Sequence, residues 1–140
     1  MAERRDEVLL LHLPCDTTAP AVVRSALAEH EHLGWIIGDA MIVASELVAN
    51  AVIHSGCWPD HVLRVTVAMT DDRLRISVED PGLYLTAVRP RELSDFSDAG
   101  VGLLIVDQLV DRWGAERDGG YRVWAELTAL SADAPPARAG

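Results

Sequence analysis

The hydrophobic positions change period along the chain, and each change marks a predicted element. VLLLHL (Val8 to Leu13) is short and apolar and is closed by Pro14, which predicts a strand. From Thr18 the pattern turns helical. Thr18 can act as N-cap with Pro20 just inside, and Ala21, Val22, Ser25, Leu27 and Ala28 carry the period towards HEHLG and a stop at Gly34. A second helix is expected from about Ile37 or Asp39 to about His54, with Gly56 as its stop. The period then falls to two. HVLRVTVAMT and RLRISVED are β-rich runs separated by Asp71-Asp72, the signal of a hairpin, and Pro81-Gly82 ends the second run. Leu103, Val106, Leu109 and Val110 in GVGLLIVDQLVDRWG restore helical spacing, with Gly114 as the expected close, and YRVWAELTAL predicts a last strand.

Two stretches have no period. Residues 82 to 99, with Pro90 and a polar series from Arg91 to Asp98, read as a lid loop, since loops of this length in a small domain tend to be functional. The Ala/Pro-rich tail SADAPPARAG, residues 131–140, reads as disordered. The order β-α-α-β-β-loop-α-β predicts an α+β fold: one domain over residues 1–130, a two-layer sandwich with helices on one face of a mostly antiparallel sheet.

Composition narrows the function classes. The 140 residues suffice for one domain with a real core. Twelve basic against 22 acidic residues give a formal charge of −10, which argues against a nucleic-acid partner, because phosphate binding needs a basic face. A basic protein partner fits an acidic surface, though solubility alone also accounts for it. No apolar run approaches the roughly 20 residues of a membrane span. MAERRDEVLL has charges of both signs and does not read as a signal peptide. Cys15 and Cys57 lack metal-type spacing and are expected as free thiols in a cytoplasmic protein.

The candidate chemistry centres on VASELVANAVIHSG, Val43 to Gly56. This helix is apolar almost all round, yet Glu46, Asn50 and His54 stand four residues apart on one face. Burying such groups without partners costs several kcal/mol, roughly. Position near the helix end accounts for His54 through the dipole alone. A polar core network could satisfy Glu46 and Asn50. Alternatively, the Asn50 amide oxygen suits a Mg²⁺ shell shared with phosphates and water, and the Glu46 carboxylate could take a proton from an attacking hydroxyl or water. Two glycine signals bracket the lid. Asp80-Pro81-Gly82 stands at a strand end, where an everyday turn also explains it. Gly100-Val101-Gly102 opens a helix, where backbone can approach a ligand and free N–H groups suit phosphate; a flexible joint is the alternative.

ExxxN on a helix, then DxG, then GxG opening another helix, in that order, resembles the GHKL ATPase superfamily of gyrase, the heat-shock chaperone, histidine kinases and MutL. SELVANAVIHSG, the GVGLLIVDQLVDRWG block and the closing VWAEL most resemble its small anti-sigma-factor serine/threonine kinases, over roughly Val8 to Leu130. The resemblance implies a Bergerat-type ATP-binding fold with ATP between the helix layer and the lid. It would make Glu46 the general base and Asn50 the Mg²⁺ ligand. Asp80 would accept a hydrogen bond from the adenine amino group, with Gly82 letting the base approach, and Gly100, Val101, Gly102 and Leu103 would hold the phosphates. Tyr84 stands where the second glycine of DxGxG belongs, and Arg122 stands near the place of a threonine usual beside adenine. Arg122 could instead meet a phosphate or point to solvent.

The resemblance further implies a regulatory kinase that phosphorylates an anti-sigma-factor antagonist and inhibits a sigma factor, acting as a homodimer, while charge and hydropathy lead to no expected nucleic-acid or membrane partner. The alternative is a non-catalytic protein-binding module of the same fold. Trp35 and Trp58 flank the Glu46 helix and are candidate interface anchors, although ordinary partial burial explains either one.

Overall fold

The computed structural model describes residues 5–34, 36–54, 60–70, 72–80, 101–117 and 121–128. Five strands and three α-helices follow in the order β1 (Arg5–Pro14), α1 (Ala19–Ala28), α2 (Ile36–His54), β2 (Val62–Thr70), β3 (Arg73–Glu79), α3 (Val101–Leu109), β4 (Arg112–Arg117) and β5 (Tyr121–Thr128). The strands form one antiparallel sheet in the order β1-β2-β3-β5-β4. The α+β two-layer expectation therefore holds.

Period-two patterning decides which face of the sheet is covered. Leu63, Val65 and Val67 on β2, Leu74, Ile76 and Val78 on β3, and Val123, Ala125 and Leu127 on β5 all point to one side and are buried. Ala40, Val43, Ala44, Leu47, Val48 and Ala51 form the matching stripe of α2, which packs against β3 and β5. Alpha-helices α1 and α3 flank it, contributing Val23, Leu27 and Val106. Each fully buried Leu, Ile or Val contributes about 1.5–3 kcal/mol, so this interior stabilises the domain and fixes α2 over the sheet.

Helix starts and stops follow local chemistry. Thr18 precedes α1 with Pro20 in its first turn, as expected, but its hydroxyl donates to Asp16 instead of capping the helix. The Asp16 carboxyl is held below its usual range by those hydrogen bonds from the Thr18 side chain and backbone. The helix ends at Ala28, earlier than expected; a 3₁₀ turn over Glu31–Leu33 completes the path to Gly34, whose φ of 68° places it in the left-handed region that glycine tolerates. The β2–β3 hairpin pairs Thr70 with Arg73 as the Asp71-Asp72 signal implies. Gly56, the lid at 82–99 and the 131–140 tail lie outside the described residues.

Two expectations are corrected. The third helix does not run to Gly114. It ends at Leu109, and residues Arg112–Arg117 form an edge strand absent from the sequence reading. Trp113 and Ala115 there stand opposite Ala125 and Val123 and pack on the core, a period-two arrangement that a helix would scatter. Gly114 stands opposite Trp124, and a Cβ on it would meet the indole at 3.0 Å. Its glycine character thus serves a close approach across strands, not a helix stop. The second correction concerns the thiols. Cys15 is buried and disulfide-bonded, and the chain's one other cysteine, Cys57, lies outside the described residues. The Cys15 amide donates to the His61 carbonyl at 3.1 Å, so the end of β1 is fixed beside the segment that follows Cys57 in sequence.

Candidate functional site

Helix α2 carries the candidate site. Its core-facing stripe is buried against the sheet, while Glu46 and Asn50, one turn apart, share the neighbouring face. Glu46 is partly exposed. Asn50 is 7% exposed, and its Oδ1 is buried with no hydrogen-bond partner. Such an atom costs about 1–3 kcal/mol to leave unsatisfied. The buried Ser45 hydroxyl on the same helix shows the usual solution: it donates to the Ile42 carbonyl at 3.0 Å. Asn50 departs from that pattern, and its Oδ1 is a neutral oxygen available to a ligand.

Asp80 directly follows β3. Alternation with Leu74, Ile76 and Val78 places it on the helix-covered face, and it is 6% exposed, with interactions of its own. A carboxylate is seldom buried at a strand end without cause. Helix α3, which opens with Val101, Gly102 and Leu103, packs against the helix bearing Glu46 and Asn50. Its first amides have no partner within the helix, which suits an anion. Gly82 and Gly100 lie outside the described residues, as do Trp35 and Trp58. The structure thus brings Glu46 and Asn50 onto one helix face, puts Asp80 on the covered side of the sheet, and packs α3 against α2. The backbone of His54 closes α2.

The donor set bears on a metal. Among the described residues, no three of His, Cys, Asp and Glu converge as a metal cage. Asn50 Oδ1 alone fits a Mg²⁺ ion that keeps water and takes its remaining ligands from phosphates, which is the usual habit of that ion.

Arg122 points away from the helix-covered layer, on the solvent side of the sheet. It stands opposite Glu79 and Glu116 on the uncovered face of the sheet, where its guanidinium donates to the Glu79 carboxylate at 3.0 Å. Position 122 therefore directs nothing into the helix-covered layer.

The pattern of the family described as Histidine kinase-, DNA gyrase B-, and HSP90-like ATPase matches residues 38–131, from the start of α2 to just beyond β5. The chain belongs to this ATPase family. Every residue of the candidate site falls inside the matched range. No curated protein matches the chain in sequence. Among solved structures it is similar to the RsbU and RsbW domains of Rv1364c from Mycobacterium tuberculosis, with a TM-score of 0.59 and 24% identity over 86% of this chain. That likeness establishes the shared fold, and this chain spans 32% of the length of that one. No described helix is long and apolar enough to cross a membrane.

Proposed function

We propose that the protein is a cytoplasmic, ATP-binding regulatory protein: an anti-sigma factor with serine/threonine kinase activity towards an anti-sigma-factor antagonist. The observation that carries the nucleotide part is the buried, unsatisfied Asn50 Oδ1 one turn from Glu46, inside an ATPase-family domain. The regulatory part is supported by the fold shared with a structure that contains an RsbW domain.

In this reading Asp80 accepts from the adenine amino group and Gly82 leaves room for the base. The α3 opening, Gly100 to Leu103, donates backbone N–H groups to the phosphates. Asn50 would hold Mg²⁺ through Oδ1, and that ion would neutralise phosphate charge. Glu46 accepts the proton of the attacking serine or threonine hydroxyl as its oxygen bonds to the γ-phosphorus; the bond to the bridging oxygen breaks and ADP leaves. The partly exposed position of Glu46 is compatible with a hydroxyl delivered from a second protein. Inhibition of a sigma factor and homodimerisation complete the proposal.

A second reading retains the fold and loses the transfer. The observation that favours it is the orientation of Arg122, which leaves the position of the usual threonine without a group for adenine. Calorimetric titration with Mg²⁺-ATP and Mg²⁺-ADP, followed by incubation with radiolabelled ATP and candidate antagonists, separates the two. The kinase reading expects nucleotide binding and label on a serine or threonine of one antagonist. Absence of nucleotide binding supports the binding module, and rapid hydrolysis without any protein acceptor contradicts both.

A further inference from the structure

The uncovered face of the sheet is not an ordinary solvated surface. Arg64 on β2, Arg73 and Arg75 on β3, Arg112 on β4 and Arg122 on β5 line one shallow groove there, so five of the chain's twelve basic residues share a single face. Three glutamates line the same groove, and the strand register adds one position of each sign, Arg5 and Glu116. The groove is therefore net positive in a chain of formal charge −10.

Carboxylates bridge these guanidinium groups across the strands, although Arg64, Arg73 and Arg112 keep more than half of their side-chain surface in water. Glu126, only 8% exposed, accepts from Arg112 Nε at 2.6 Å and from Arg75 at 2.9 Å, with Arg73 at 3.5 Å. Burial raises the Glu126 carboxyl pKa, but the hydrogen bonds and charges of Arg112 and Arg75 outweigh it and hold the group ionised below its usual range. Glu79 likewise joins Arg122 at 3.0 Å and Arg64 at 4.0 Å. Two acidic side chains thus bridge five cations, each with five donors in a rigid fork. Between them lies Trp124. The Arg75 guanidinium sits 4.3 Å from its ring centroid and that of Arg112 5.8 Å, while Gly114 lets the indole lie flat across β4. Leu10 and Val62, at 39% and 47% exposure, add apolar surface on the same side.

We infer that this face docks an acidic polypeptide segment of a partner protein, one that alternates carboxylate and apolar side chains. Charge selects the occupant. A second copy of this chain would set one positive groove against another, between two bodies that each carry −10. A nucleic acid would meet the repulsion of the whole acidic molecule along its length. A short acidic segment feels chiefly the charges within about 8–10 Å, where the arginines dominate, and its apolar side chains match Trp124, Leu10 and Val62. Because Arg75 and Arg112 are already set between Glu126 and Trp124, less ordering of these two remains to be done on binding. The inference stands independently of nucleotide binding, which uses the opposite face of the sheet.

The probe is a fluorescein-labelled synthetic peptide of repeated Asp-Leu-Glu-Phe units, beside its Asn/Gln counterpart. Anisotropy should show binding of the acidic peptide alone, weakening as salt rises. In nuclear magnetic resonance titrations of the unmodified protein it should shift the Trp124 indole and the amides of Thr66, Arg75 and Ser77. Arg73→Glu with Arg112→Glu should weaken binding by about tenfold or more. Arg73→Gln with Arg112→Gln, which spares Glu126 a like-charged neighbour, should weaken it less, with circular dichroism unchanged. The inference is overturned if the Asn/Gln peptide binds as well, or if the shifts fall on α2 or α3. Equal binding of a single-stranded RNA at the same residues overturns it too. So does an ultracentrifugal dimer that the arginine substitutions dissociate while no peptide binds.

Discussion

The two faces of the sheet handle polar atoms in opposite ways. On the helix-covered face nearly everything is apolar; the buried polar side chains there are Ser45, Asn50 and Asp80, and Asn50 Oδ1 has no hydrogen-bond partner. On the uncovered face charged groups are dense, yet Glu79 is met by two arginines and Glu126 by three. The same sheet therefore carries an interior where a buried polar atom stands unsatisfied, and a surface where charges satisfy one another. Environment decides the meaning: the cost of an unpaired group rises as the surrounding dielectric falls.

The contrast can be broken hardest from the core side. Leu47→Ala deletes a fully buried side chain between α2 and the sheet and should cost about 2–5 kcal/mol in denaturant unfolding. By comparison, Arg73→Ala on the uncovered face should cost no more than about 1 kcal/mol, because its partner Glu126 keeps two other arginines. Equal losses would mean that the arginine network, not the interior, sustains the fold. Reducing the Cys15 disulfide, or making Cys15→Ala, should lower stability by about 2–4 kcal/mol, read as a drop in melting temperature on adding reductant. Under the kinase reading, Glu46→Gln should keep nucleotide binding while slowing transfer to an antagonist by roughly 10²-fold or more; normal transfer would remove the base assignment.

Much of this layout was legible in the sequence because it rests on period and spacing. The β2–β3 hairpin, the α2 boundaries and the shared face of Glu46 and Asn50 follow from local rules that burial then reinforces. What was not legible depends on contacts between distant residues. Val110 to Gly114 continue a plausible helix until Trp113 and Ala115 are seen to pair with Ala125 and Val123 on the following strand. The Cys15 disulfide reflects tertiary proximity at the β1–β2 end, which spacing alone does not encode. The arginine face escaped notice for the same reason. Arg64, Arg73, Arg75, Arg112 and Arg122 are scattered along the chain and converge only once the strand order is known. A signal did exist, since Arg73 and Arg75, and separately Arg122, Trp124 and Glu126, occupy the polar phase of period-two runs.

Smaller effects sharpen the uncovered face. Gly114→Ala should displace the Trp124 indole and cost about 1–3 kcal/mol, with a change in tryptophan fluorescence. Glu126 has a depressed pKa in the folded state, so its contribution is complete above the unfolded value of about 4.3 and fades as pH falls through the lower folded value. Stability measured down this acid range should fall less steeply for Glu126→Gln than for the unmodified protein, after the shared losses are subtracted.

The most direct test of the central claim, that Asn50 is retained for a ligand and not for the fold, is Asn50→Leu with melting temperature and Mg²⁺-ATP affinity measured on the same preparation. Leucine has similar volume and no polar atoms, so removing an unsatisfied buried amide should leave the melting temperature unchanged or raise it. Affinity for Mg²⁺-ATP should fall by about tenfold or more, and binding of ATP without magnesium should fall less. A lower melting temperature with unaltered Mg²⁺-ATP affinity would contradict the account, because Asn50 would then be a structural amide.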